Sequence, residues 1–141
     1  MSRTDLGAEP QACPCGKSDK AGRPLVYADC CGRFVERFAG TPAPDAESLM
    51  RSRYSAFVLG RTDYLAATWH ATTRPHDLAA DPGTRWLGLD VRRHAAIDAD
   101  HAEVEFVARY RPASGAAVRI HERSRFAREG NRWYYVDGDL L

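Results

Sequence analysis

Four cysteines stand at positions 13, 15, 30 and 31, and the rest of the 141-residue chain has none. Cys13-Pro-Cys15-Gly16 and Cys30-Cys31-Gly32 put all four thiols within nineteen residues, a crowding that scattered core cysteines would not show. Two disulfides are one alternative, but neighbours such as Cys30 and Cys31 rarely reach the separation and torsion a bridge needs. The compartment argues the same way. No stretch approaches the ~18 apolar residues of a membrane span, and Met1–Pro10 lacks the apolar core of a signal peptide. A cytoplasmic location is therefore expected, with thiols kept reduced. Four thiolates from two tight turns suit tetrahedral zinc, and an iron–sulfur cluster takes the same ligands. Gly16 and Gly32 let the chain turn away behind each pair. A zinc ion held by Cys13, Cys15, Cys30 and Cys31 has no open position for a catalytic water, so its expected role is structural. Its formal charge of about −2 can be offset by Lys17, Lys20, Arg23 and Arg33 beside the cluster.

The length suits one domain large enough to bury a core without help. Residues 1–11 read as a flexible tail, 12–40 as the cysteine knuckle and 41–141 as the main domain. Phe34–Ala39 predicts a short helix ended by Gly40, and Thr41-Pro-Ala-Pro44 a stiff linker. Asp45 or Thr41 can cap the next helix, whose Leu49, Met50, Tyr54, Phe57 and Val58 recur at helical spacing up to Gly60. A second helix is expected over Asp63–Trp69, then a loop over His70–Gly83.

Beyond that loop the period changes to two. Strands are expected over Arg85–Ile97, Ala102–Tyr110, Ala117–Phe126 and Trp133–Val136, with glycine-bearing turns at 112–116 and 128–131. Helices followed by an antiparallel meander imply an α+β domain with helices on one sheet face. The net charge of +1 supplies no long-range field for nucleic acid or membrane. Only Lys17 and Lys20 among the 20 cationic residues are lysine, so any anion site would use guanidinium forks.

Cys-Pro-Cys-Gly with Cys-Cys-Gly resembles the SEC-C zinc motif, best known from the tail of the translocase ATPase SecA. Taken with Leu49-Met-Arg-Ser-Arg-Tyr-Ser-Ala-Phe57, Ala67-Thr-Trp-His70, His121-Glu-Arg-Ser-Arg-Phe126 and Arg132-Trp-Tyr-Tyr-Val-Asp-Gly138, the chain resembles the YchJ family of bacterial proteins over about residues 12–138. The resemblance implies a SEC-C-like zinc knuckle followed by a cystatin-like, nuclear-transport-factor-two-like cone of helices packed on a curved antiparallel sheet. It also implies a protein-contacting role for the knuckle, as in SecA. Two departures stand out. The fourteen residues between Cys15 and Cys30 exceed the usual gap, so an extra loop is expected around Ser18–Leu25, and the chain carries no second cysteine motif after Cys31.

Cones of this kind often keep a cavity between sheet and helices. On the strand face Val118, Ile120, Glu122, Ser124, Phe126, the carboxylate of Glu122 needs a partner if the face is buried. Arg51, Arg53 and His70 are candidates. One reading makes Glu122 and His70 an acid/base pair walled by Tyr54, Trp69 and Trp133. The other, which we favour, makes Arg53–Glu122 a structural ion pair among core aromatics. The pocket candidates are thus Arg51, Arg53, Tyr54, Trp69, His70, Glu122, Ser124 and Trp133.

On the opposite face Arg119, Arg123 and Arg125, with Arg109 and Arg111 on the neighbouring strand, line up as a basic stripe that can meet phosphate backbones; the reading we favour is a solvated sheet face interspersed with Glu103 and Glu105. The expected function is a non-catalytic zinc-binding module contacting protein or RNA. The alternatives are a small ligand or hydrolase- or isomerase-type chemistry in the cone, and pairing of two copies through the open sheet face. No membrane association is expected.

Overall fold

The computed structural model describes residues 11–141. The tail expected over residues 1–11 lies outside the described residues except for Gln11, whose carbonyl accepts the Tyr27 N–H at 2.8 Å. Three helices, α1 (Gly32–Val35), α2 (Ala46–Leu59) and α3 (Thr62–Ala67), precede four strands: β1 (Arg85–Asp98), β2 (His101–Arg111), β3 (Val118–Glu129) and β4 (Arg132–Leu140). The strands form one antiparallel sheet in the order β1-β2-β3-β4. This is the α+β architecture that the change of period implied.

Asp45, rather than Thr41, caps α2, its Oδ1 accepting the Ser48 N–H at 2.7 Å. Gly60 ends the helix in the left-handed region at φ 71°. The first helix starts earlier and stops sooner than Phe34–Ala39. It begins directly behind Cys31, and the chain turns at 36–40 to meet β4, where the Arg132 guanidinium donates to the carbonyls of Phe38 and Ala39. Three hairpins are present where two were expected. The additional one joins β1 to β2 without glycine, Asp98 Oδ1 accepting the Asp100 N–H at 2.8 Å.

β4 runs past Val136 to Leu140. Gly138 reads locally as a strand breaker, yet its missing side chain is what permits the pairing: a Cβ there would collide with the Glu122 carboxylate. A bulge between Arg125 and Phe126 and three irregularities along β1 bend the sheet around α2. Leu49, Met50, Tyr54 and Ala56 of α2 pack on Val104, Phe106 and Ala108 of β2 and Phe126 of β3. The four cysteines, Phe34 and Val35 join the same apolar cluster, so the knuckle is seated on the main domain through α2.

Candidate metal centre and cavity

Each pair of cysteines is set by its own turn. Gly16 N–H donates to the Cys13 carbonyl at 3.2 Å, and Cys30 N–H to the Tyr27 carbonyl at 3.0 Å. An Ala12–Val26 bridge brings the two turns together. The loop expected around Ser18–Leu25 is a small hairpin closed by a Ser18–Pro24 bridge, with Asp19 Oδ1 accepting the Ala21 and Arg23 N–H groups. All four sulfurs are buried and lie within 4.8 Å of one another. Four sulfurs bound to one zinc at about 2.3 Å sit about 3.8 Å apart, and the Cys15–Cys30 separation is 3.7 Å. The cluster therefore fits a tetrahedral ion.

Without an ion the four thiols perturb one another. Hydrogen bonds from Cys15 and Cys31 hold the Cys13 thiol far below its usual range. Burial and the neighbouring sulfurs push Cys30 up to about 12. A metal ion needs these ligands as thiolates, so its binding releases protons.

The charge offset comes from a residue the sequence reading assigned elsewhere. Arg51 Nη1 donates to the Cys15 carbonyl at 3.3 Å and lies 4.0 Å from its sulfur, while Nε pairs with Glu47 at 3.0 Å. Burial opposes that charge, but Glu47 and Cys15 keep the guanidinium pKa above its ordinary value. Ser55 Oγ stands 3.5 Å from Cys13 Sγ. Lys17, Lys20 and Arg23 are exposed, and Arg33 turns its Nε to the Cys30 carbonyl at 2.9 Å.

A cavity of about 180 Å3 lies between α2 and the inner sheet face. Met50, Arg53, Tyr54 and Phe57 face it at helical spacing, opposite Glu122 and Ser124 of β3. Of the pocket candidates, Arg53, Tyr54, Trp69, Glu122 and Ser124 line it; Arg51, His70 and Trp133 do not. His70 Nε2 pairs with Glu129 at 2.7 Å and its Nδ1 meets Thr72 Oγ1, so it is not near Glu122. Trp133 shares the inner face but sits further along β4, beside Phe38 and Tyr64.

Arg53 and Glu122 line one cavity yet make no ion pair, which corrects the expected Arg53–Glu122 contact. Arg53 is 5% exposed. Its Nη1 donates to the Leu65 carbonyl at 2.9 Å and to Thr68 Oγ1 at 2.7 Å. The guanidinium packs against the edge-to-face pair Trp69 and Tyr135, 4.9 and 4.8 Å from their ring centroids. Burial lowers its pKa to about 10, still charged at neutral pH. Glu122 instead accepts from Ser124 Oγ at 2.5 Å and Tyr135 OH at 3.4 Å. Tyr135 escaped the sequence reading, although strict alternation from Trp133 already placed it on the same face.

On the outer sheet face Arg125 is tied to Asp137 and Asp139, Arg123 to Asp139, and His121 to Glu105. Arg85, Arg109, Arg111 and Arg119 have no acidic partner among the described residues, and the cross-strand register sets Arg85 opposite Arg111 and Arg109 opposite Arg119. No helix among the described residues is long and apolar enough to cross a membrane.

Comparison with known proteins agrees with this architecture. Residues 45–138 match the family model described as YchJ, middle NTF2-like domain. A UPF0225 protein of Polaromonas sp. is 65% identical over 127 residues, covering 90% of this chain and 91% of that protein. A UPF0225 protein of Bordetella parapertussis is 56% identical, covering 94% and 96%. Among solved structures, a SEC-C motif containing protein from Rhodopseudomonas palustris superposes with TM-score 0.76 at 34% identity, over 93% of this chain and 99% of that one. A SEC-C motif containing protein from Psychrobacter arcticus superposes with TM-score 0.69 at 30% identity, over 93% and 83%.

Proposed function

This chain belongs to the YchJ family, and on that premise we propose that it is a non-catalytic zinc-binding module that contacts a protein or RNA partner. The observation that carries the reading is the donor set: four buried sulfurs within 4.8 Å of one another, with no histidine or carboxylate among them. Zinc in such a site is saturated, stiffens the knuckle and leaves nothing open for substrate. The SEC-C description of the two solved neighbours supports the same role. Metal analysis of the purified chain tests it. One zinc per chain is expected, lost in the Cys15→Ser/Cys30→Ser double variant; iron with visible absorbance, or no bound metal, overturns it.

The partner-facing part of the reading is supported by the arginine corner. Like charges placed directly across a strand pair are unfavourable, and Arg85–Arg111 and Arg109–Arg119 stand so without a counter-charge. An anionic backbone laid there would relieve both pairs. Single-stranded RNA should therefore bind with an affinity that falls with salt, and Arg109→Gln/Arg119→Gln should reduce the log–log slope by about 1 to 2. Absence of RNA binding at low salt overturns that contact and leaves a protein partner.

A further inference from the structure

The cavity over the inner sheet face has two chemically different ends. Toward β1, Trp86 meets Tyr54 edge-on at 5.5 Å and Phe57 at 5.5 Å, and Phe106 and Ile120 continue an apolar wall. Toward β4, three hydrogen-bonding groups have capacity left over. Among the described residues the Nε and Nη2 of Arg53 have no acceptor, and only Nη1 is engaged. The Trp69 Nε1–H is buried with no partner. Glu122 takes both of its hydrogen bonds on Oε2, and Oε1 accepts none.

A native interior rarely leaves a buried donor unpaired, and Trp69 Nε1 is the one such side-chain atom among the described residues. An Arg53–Glu122 ion pair would account for two of the three groups, but the two side chains do not make one. Trp69 and Tyr135, set edge-to-face 5.2 Å apart, pack on one side of the guanidinium, and Leu65 and Thr68 occupy its Nη1 corner. What remains is the Nε–Nη2 edge, the fork that grips a carboxylate with two parallel bonds. The volume of about 180 Å3 exceeds the ~150 Å3 of an apolar cavity known to admit benzene. Phe57 on its wall is 40% exposed, which gives a ligand a way in.

We propose that this cavity binds a one-ring organic acid bearing a hydroxyl or amino group, its carboxylate on Arg53 and Trp69, its ring against Trp86, and its O–H or N–H on Glu122. No cysteine lines the cavity, so this inference stands apart from the metal reading.

The three hydroxybenzoate isomers, benzoate and phenol serve as probes, each titrated into the 15N-labelled full chain to about 10 mM, well above the ~1 mM dissociation constant a ligand so small should show. At least one hydroxybenzoate should shift the Trp69 indole N–H resonance saturably, with benzoate and phenol about tenfold weaker because each lacks one polar group. Glu122→Gln should weaken the hydroxybenzoate by about tenfold and leave benzoate unchanged. The idea fails if no isomer moves that resonance, or if hydroxybenzoate, benzoate and phenol bind alike, which would mark an apolar hole without a recognition end. The wild-type series decides the matter even if Glu122→Gln does not fold.

Discussion

Up to Gly40, the buried apolar side chains among the described residues are the four cysteines, Phe34 and Val35; from Ala43 onward they run through α2, α3, β2 and β3 in a continuous cluster. The first region carries too little apolar surface to hold two turns and a hairpin in place by burial. Four of its six buried side chains are also potential metal ligands. The second region holds together through helix-on-sheet packing and asks nothing of a metal. The two meet on α2, where Arg51 and Ser55 reach the knuckle while Met50, Arg53, Tyr54 and Phe57 face the cavity. One helix thus serves a cysteine-lined neighbour on one side and a cavity on the other. A small folded element can be specified by a few ligands provided a self-sufficient element supplies its floor.

Removing metal should separate the two regions most sharply. Structural zinc in isolated knuckles contributes ~10–16 kcal/mol, most of it expressed as folding. Chelation should therefore open residues 12–33, seen as loss of amide-exchange protection there, while β2 and β3 amides stay protected. Collapse of the sheet on chelation would show that the regions are not separable. A core truncation tests the other half. Phe126→Ala, at a fully buried position touching Tyr135 edge-on, should cost ~3–5 kcal/mol in a denaturant melt, yet leave the zinc content of the folded protein unchanged.

The smallest effect lies at the seam. Arg61 pairs with Glu36 at 2.7 Å, the one ion pair among the described residues that joins the knuckle segment to the main domain. The Arg61 guanidinium, and then the Tyr27 hydroxyl, hold the Glu36 carboxyl below its usual range. A carboxylate with a depressed folded pKa stabilises above its unfolded pKa, and that contribution is lost as pH falls through the folded one. The Glu36 carboxyl 13C shift should titrate with a lowered midpoint, and Arg61→Gln should bring it back up. Glu36 is well exposed, so screening keeps the stability effect small and no change in melting is expected at neutral pH.

Much of this was legible in residue order. The period of 3.6 in Leu49–Val58 and of two in Ala102–Tyr110 and Ala117–Phe126 reflects which face each element buries, a local property of backbone geometry. The capping of α2 by Asp45 and its end at Gly60 are local too. The same holds for the cysteine cluster, because ligand type and turn residues travel together in the chain. Legibility failed where a side chain long enough to choose among neighbours had to choose. Arg53, the favoured partner for Glu122, donates to Leu65 and Thr68 instead, and His70, the other candidate, stands against Glu129.

Residue order by itself determined that four cysteines would converge ahead of a helix-then-meander domain, and that Glu122 and Ser124 would share one strand face with Val118, Ile120 and Phe126. Only the tertiary structure decided their company. Arg51 and Arg53 sit two residues apart on one helix, yet the first goes to the Cys15 carbonyl and the second against the rings of Trp69 and Tyr135. A helix turns each successive residue by about 100°, so neighbours in sequence look toward different elements. Which element waits there depends on how a bulged sheet, a short helix and a knuckle pack around α2, and local periodicity carries no information about that.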